Sequence, residues 1–376
     1  MKLALAVVAL CCVAAAAWFF YRAPPAYDWS LPPDIPAPPV PADNPMTTVK
    51  VALGRRLFYD NRLSVNGTMS CARCHIQALA FTDGLPRSVG ATGEMHPRGA
   101  MSLVNVAYAS RLTWANNLLA QLEDQALIPL FSSHPVEMGV AGAESALTEL
   151  FASDEHYREL FPKAFPQDKN PYSILNLVRA TSAFVRSIVS FDSAYDRYLR
   201  GDAEAMTAAQ IRGMDLFFSE RLECFHCHGG FNFSDSTTHV DAVVVSAGYH
   251  NTGLYNIGGE GAYPPDNTGL LDMTGERRDM GRFRAPSLRN IEVTAPYMHD
   301  GSLATLSDVI AHYERGGRKL DEGPYAGDGR RNPYKSEFIR GFELTDKERA
   351  DLLDFLHALT DRNALENPRW SAPAME

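Results

Sequence analysis

Apolar positions along the chain fall into distinct patterns. An unbroken apolar run covers Leu3 to Tyr21 between Lys2 and Arg22. Its charge and length read as an export signal, and Ala15 and Ala17 frame a small-residue cleavage site. The same nineteen residues end in Trp18-Phe19-Phe20-Tyr21, which equally suits a retained membrane anchor with an aromatic belt. Both readings stand for residues 1–22. Residues 23–45 are rich in proline (APPAYDWSLPPDIPAPPVPADN over 23–44) and read as a semi-rigid linker. It either holds the folded part away from a membrane or leads into it. Further on, Ile174, Leu177, Val178, Thr181, Val185 and Ile188 recur at helical spacing. Thr207-x-x-Gln210 and Thr345-x-x-Glu348 precede apolar helices as capping boxes. Residues 229–286, dense in Gly, Asp, Asn and Pro, read as one long irregular excursion. The class is mainly α, with long irregular loops.

Cysteine positions add chemistry to this outline. Cys11 and Cys12 fall in the apolar run, and the other four form Cys71-Ala-Arg-Cys74-His75 and Cys224-Phe-His-Cys227-His228. Two C-x-x-C-H motifs with no cysteine left over read as two covalent c-type haem attachments. In each, the thiols add to vinyl groups and His75 or His228 ligates the iron. A disulfide or four-cysteine zinc site does not need the same histidine twice. The order G-x-x-L-F, C-x-x-C-H, S-L-x-N also occurs twice: at Gly54–Phe58, Cys71–His75 and Ser102–Asn105, then at Gly213–Phe217, Cys224–His228 and Ser287–Asn290. Two diverged copies of one haem module account for it, a first over 46–200 and a second over 206–362, with a tail at 363–376.

The length of 376 residues, with 45% hydrophobic and 21% charged, suffices for a packed core. A formal net charge of −10 argues against nucleic acid and anionic membrane surfaces, and allows a basic protein partner. Covalent haem and an export signal agree on the bacterial periplasm, with or without a tether to the inner membrane.

Longer motifs join these. Glu123-Asp-Gln125-Ala-Leu-Ile-Pro129, Pro135-Val-Glu137-Met-Gly139, Phe283-Arg-Ala-Pro-Ser-Leu-Arg-Asn290 and Thr294-Ala-Pro-Tyr-Met-His-Asp-Gly301 accompany the two haem motifs. Over about residues 48–360 the chain resembles the bacterial di-haem cytochrome c peroxidase/MauG family. The resemblance implies two tandem cytochrome c-like domains, a peroxidatic haem in the first and an electron-storing haem in the second, reacting with hydrogen peroxide. Glu137 matches the family's proton-carrying distal glutamate, and Gln125 and Pro129 match its pocket partners, with two extra residues before Glu137. Trp114 matches the tryptophan between the haems. A calcium ion is implied as well, on the backbone carbonyls of Thr294 and Pro296, with Gly99 where an asparagine ligand is usual.

Three departures set the subtype. Ala91 stands where peroxidases carry a histidine that blocks the first iron, so that iron is expected to be open at rest; His96, five residues later, is the other candidate blocker. Tyr313 stands where they carry a methionine on the second iron, and His/Tyr ligation is the MauG pattern. The competing reading makes Tyr313 a packed aromatic and passes ligation to His312 or Met298. Leu222 replaces the tryptophan through which MauG oxidises the precursor of methylamine dehydrogenase. The remaining histidines, His134, His226, His239, His250, His299 and His357, read as polar or packed residues.

Three functions compete. The first is a MauG-like enzyme that stores the oxidising power of peroxide across both haems and modifies side chains of a partner protein. Relatives that work beside methanobactin or copper-binding proteins convert a partner's tryptophan to kynurenine, and residues 135–139 and 223–230 are similar to that branch. The second is a cytochrome c peroxidase drawing electrons from a small c-type cytochrome or cupredoxin. The third is a non-enzymatic electron-transfer cytochrome, disfavoured by the Glu137 motif.

Overall fold

The computed structural model describes residues 25–374. The export-signal or anchor reading of residues 1–22, with Cys11 and Cys12, lies outside them; among the described residues no helix is long and apolar enough to cross a membrane. The chain is mainly helical, with two small antiparallel ribbons pairing Tyr249–His250 with Phe283–Arg284 and Lys319–Leu320 with Gly327–Asp328.

Each haem motif follows one helix of a crossed pair. In the first module the helix Thr48–Tyr59 begins where the Thr47 side chain accepts the Lys50 N–H, and it buries Leu53, Leu57 and Phe58. It crosses Ile174–Arg186, which buries the predicted Leu177, Val178, Thr181 and Val185, with Ile188 just beyond. A Cβ placed on Gly54 would lie 1.9 Å from the carbonyl oxygen of Ala180, so only glycine lets these backbones approach. In the second module Ala208–Phe217 crosses Asp346–His357, and a Cβ on Gly213 would lie 1.9 Å from the Asp351 carbonyl oxygen. Both predicted capping boxes form, at Thr207/Gln210 and Thr345/Glu348. Full burial of leucines such as Leu53 and Leu57 contributes roughly 1.5–3 kcal/mol each.

The S-L-x-N repeat closes each module in the same way. Asn105 takes a left-handed conformation; its N–H donates to Ile188 O and its side-chain oxygen accepts the Ser190 N–H. Asn290 repeats this with Leu359 O and the Asp361 N–H. The modules meet here, since the Asn290 amide and the Asp361 carboxylate both bond the Ser190 hydroxyl. Just beside them, the buried Arg289 pairs bidentately with buried Asp196 at 2.8 and 2.9 Å.

Two terminal segments pack on the folded part. Residues 25–45 do not stand free as a spacer. Ile35 and Asn44 are buried, Tyr108 Oη donates to Pro36 O, and Asn44 bonds both Glu123 and Lys50. Proline stiffness fixes the shape of such a segment but not what it lies against. The tail likewise folds back on the first module: Trp370 is buried with Phe58 and Phe184, and Tyr59 donates to its carbonyl.

Candidate functional site

The first C-x-x-C-H forms a single helical turn, Cys71–Cys74, that ends at His75. The imidazole Nδ1 of His75 lies 2.7 Å from Phe81 O and donates its proton there, which leaves the Nε2 lone pair for a metal. His228 repeats this with Phe233 O at 3.2 Å. Burial holds both imidazoles below the usual histidine range, so both are neutral. Phe81 and Phe233 carry positive φ values of 59° and 51°, a strained state for a bulky residue that recurs in both modules to aim the carbonyl. All four thiols are free of disulfides. This donor set fits two covalent c-type haems.

Pro129 and Glu137 are brought together by one turn of chain near the first motif, and Gln125 lies one helical turn before Pro129. The helix Leu122–Phe131 is fixed by Glu123, which accepts from buried Arg186 and from Asn44. Pro129 sits inside that helix, and its carbonyl accepts the Met138 N–H at 2.9 Å, drawing the following loop back. Burial raises the Cys71 and Cys74 thiols, and the Glu137 charge, held near the pair, adds a smaller push in the same direction. Burial also pushes the Glu137 carboxyl up to about 7. The hairpin carrying Ala91 is stapled to this loop: the Ala91 N–H donates to Glu137 O at 2.8 Å, and the Glu94 carboxylate accepts the Val136 N–H. His96, at its end, turns Nε2 toward Glu137 Oε1 at 3.6 Å, and burial keeps it neutral.

A second crevice holds about 1940 Å³ of space unfilled by protein, including its open mouth. Cys224, Cys227, His228 and Tyr313 all line it. Tyr313 lies on the helix Leu306–Glu314, and burial raises its phenol far above the ordinary tyrosine value. Of the competing candidates, Met298 also lines the crevice, whereas buried His312 directs Nε2 to Thr252 O at 3.0 Å. Leu222 is buried in the apolar core of the second module.

Trp114 joins the halves. It lines the same crevice as Met101 and Ser102 of the first module, and its indole donates to Gly99 O at 2.9 Å. Thr294, Pro296 and Gly99 share that wall. No donor among the described residues bonds the Thr294 or Pro296 carbonyl oxygens, which leaves both available to a hard cation.

Sequence reasoning missed two polar features here. Arg284 is buried, with Nε on Thr113 O, a second nitrogen near Met101 Sδ, and no carboxylate partner among the described residues; burial lowers it to about 10. A buried cation without a counter-charge fits a cofactor carrying carboxylates. His250 pairs with Asp235 at 2.6 Å; burial opposes its charge, yet the carboxylate holds it up to about 10. Arg284 lies within the Phe283–Asn290 motif, but no spacing marks a missing partner.

Comparisons with known proteins identify the family. The model of the di-haem cytochrome c peroxidase family matches residues 48–204. Cytochrome-c peroxidase IdrP1 of Denitromonas iodatirespirans is 36% identical over 96% of this chain and 93% of its own. The methylamine utilization protein MauG of Methylorubrum extorquens is 32% identical over 85% of this chain and 81% of its own. Among solved structures, a MauG-like protein associated with microbial copper homeostasis superposes with a TM-score of 0.91 at 52% identity, covering 93% of this chain and 99% of that one.

Proposed function

The chain belongs to the di-haem cytochrome c peroxidase/MauG family, an oxidoreductase family with two c-type haems, and on that premise we propose that it uses hydrogen peroxide to oxidise side chains of a partner protein. When bound, the haems supply the iron that takes up peroxide and storage for two oxidising equivalents. The observation that carries the reading is Tyr313 facing the second crevice with His228, together with Ala91 where a blocking histidine is usual. A tyrosine oxygen is a hard donor that favours higher oxidation states, whereas methionine raises the potential toward simple electron acceptance.

Residues of this chain account for the proton work. Cleaving the O–O bond requires a proton to leave the inner oxygen and reach the outer one. Glu137 takes that proton as its carboxylate and delivers it, with a pKa near neutrality suited to both halves of the transfer. Gln125 supplies an amide to orient the peroxide. Pro129 holds the loop through its carbonyl. Trp114 lines the crevice together with residues of both modules, and the Thr294 and Pro296 carbonyls would hold a calcium ion that stiffens that wall. The 52% identical structure is of a MauG-like protein associated with microbial copper homeostasis, which supports a partner from copper handling. Export to the periplasm completes the proposal.

The second reading is a cytochrome c peroxidase fed by a small cytochrome or cupredoxin, favoured by the 36% identical relative of that name. One spectrum separates them. The fully oxidised protein, given one equivalent of hydrogen peroxide without prior reduction, is expected to show a fast Soret shift and a lasting near-infrared band. No reaction until one haem is reduced would identify a conventional peroxidase.

A further inference from the structure

The crevice that Trp114 lines is continuous with a row of phenols. Trp114 packs against a buried cluster containing Tyr255, Tyr263 and Phe283, and Phe283 lines the crevice itself. From Phe283 the Tyr263 ring stands 6.2 Å away, Tyr255 is 5.3 Å beyond Tyr263, and Tyr325 is 5.9 Å beyond Tyr255. Tyr325 reaches the surface, 38% exposed. All three ring pairs meet edge-on or tilted, at separations usual for aromatic packing.

Packing alone does not call for the polar arrangement of these phenols. The buried Tyr263 hydroxyl donates to Asn251 Oδ1 at 2.9 Å, and Tyr255 donates to Asp300 Oδ2 at 2.6 Å. A carboxylate at that distance is a base waiting for the proton that a phenol must release when it loses an electron. The Arg318 guanidinium lies over the Tyr255 ring at 4.4 Å and opposes a positive charge there, so oxidation of Tyr255 has to be coupled to proton loss. At the other edge of the second haem motif, His226 stacks between Phe225 and Phe338, rings too hard to oxidise to offer a route.

We propose that Tyr263, Tyr255 and Tyr325 conduct oxidising equivalents from the di-haem centre to the surface, where Tyr325 is the point of exit to a docked protein side chain. The inference rests on the peroxide-driven reading above. Hydrogen peroxide is the oxidant. Tyr255 loses one electron inward, by way of Tyr263, and passes its phenolic proton to Asp300. The neutral radical then takes an electron from Tyr325, whose proton goes to solvent, and regains its own proton from Asp300. Tyr325 is refilled by an electron from the partner and a proton from solvent, which restores its phenol. Two such passages discharge the two equivalents of one peroxide.

The test uses the intact di-haem protein, hydrogen peroxide and a nitroso spin trap, with peptide mass spectrometry locating the covalent adduct. Wild type is expected to carry the label on Tyr325. Tyr255→Phe and, independently, Asp300→Asn are expected to lose it while the resting spectrum and the peroxide-induced Soret change persist. In Tyr325→Phe, a surface change, the peroxide-induced optical state is expected to outlast that of wild type. An undiminished label on Tyr325 in both Tyr255→Phe and Asp300→Asn overturns the route and leaves the peroxide reaction standing. So does a peroxide-reactive wild type labelled elsewhere. A wild type that is inert to peroxide overturns both readings.

Discussion

The imidazole Nε2 of His96 lies 3.6 Å from Oε1 of Glu137, and the hairpin that ends at His96 bonds the Glu137 backbone through Ala91. His96 therefore stands beside the proposed proton carrier, and the expectation is that it leaves the first iron open. Its Nδ1 lies 3.2 Å from Arg98 O, a contact within its own turn that fixes the ring. Replacement by Asn is expected to leave the resting haem spectrum unchanged by electron paramagnetic resonance. Loss of a low-spin signal in that variant would instead make His96 the resting ligand of the first iron.

Glu137→Gln keeps the shape and removes the transferable proton. The rate of the peroxide reaction is expected to fall by about 10²–10⁴-fold. Burial raises this carboxyl to about 7, and the charged form takes the proton first. The wild-type rate should thus decline as pH falls through about 7, and stopped-flow traces of the Gln variant should lose that dependence. Unchanged peroxide reactivity would remove Glu137 from the mechanism.

Tyr313→Met exchanges a hard oxygen for a thioether in the second crevice. A redox titration is expected to show one haem potential rising and the other unmoved, with a shorter-lived near-infrared band after peroxide. If both potentials stay put, Tyr313 is only a packed ring and Met298, which lines the same crevice, inherits the role.

Gly213→Ala tests the crossing of the second helix pair. In an exposed helix alanine would stabilise by about 1 kcal/mol. Here the added methyl meets the Asp351 carbonyl at 1.9 Å and must push two helices apart, at a cost of roughly 1–3 kcal/mol. The net sign is destabilising, read from the denaturant midpoint, and Gly54→Ala should behave alike against Ala180.

Asp196→Ala strands the buried Arg289 guanidinium and should cost about 3–5 kcal/mol. Burial works against the Asp196 charge, but Arg289 and Ser193 outweigh it and hold the carboxyl below its ordinary value. A lowered folded-state pKa contributes stability above the unfolded value of about 3.9, lost as pH falls through the folded one. The variant's deficit should therefore shrink in strong acid.

Local chemistry was legible and long-range partnership was not. The haem motifs, the periodic helix ending near Ile188 and the two capping boxes are short-range statements, each complete within a few residues. The repeat order also announced two modules, because Gly54 and Gly213 serve the same crossing. By contrast, Tyr255, Tyr263 and Tyr325 are scattered through irregular chain, and only the fold lines them up. The same holds for Arg284, whose missing counter-charge is a fact about neighbours far away in sequence. The proline-rich segment shows the limit most plainly. Its composition gives stiffness, while its position is decided by single anchors such as Ile35 and Asn44.

The return of the chain to its starting point has a mechanical meaning. Arg369 lies over the Tyr27 ring at 4.9 Å and donates to Asp28 O, so the last described residues clasp the first across the face of module one. The described chain travels through one module, then the other, and is fastened at Tyr27 and Asp28. Neither half can loosen without unbuckling the other, so heat should melt both together in a single cooperative step. Cleavage between Glu366 and Trp370 should divide that step in two.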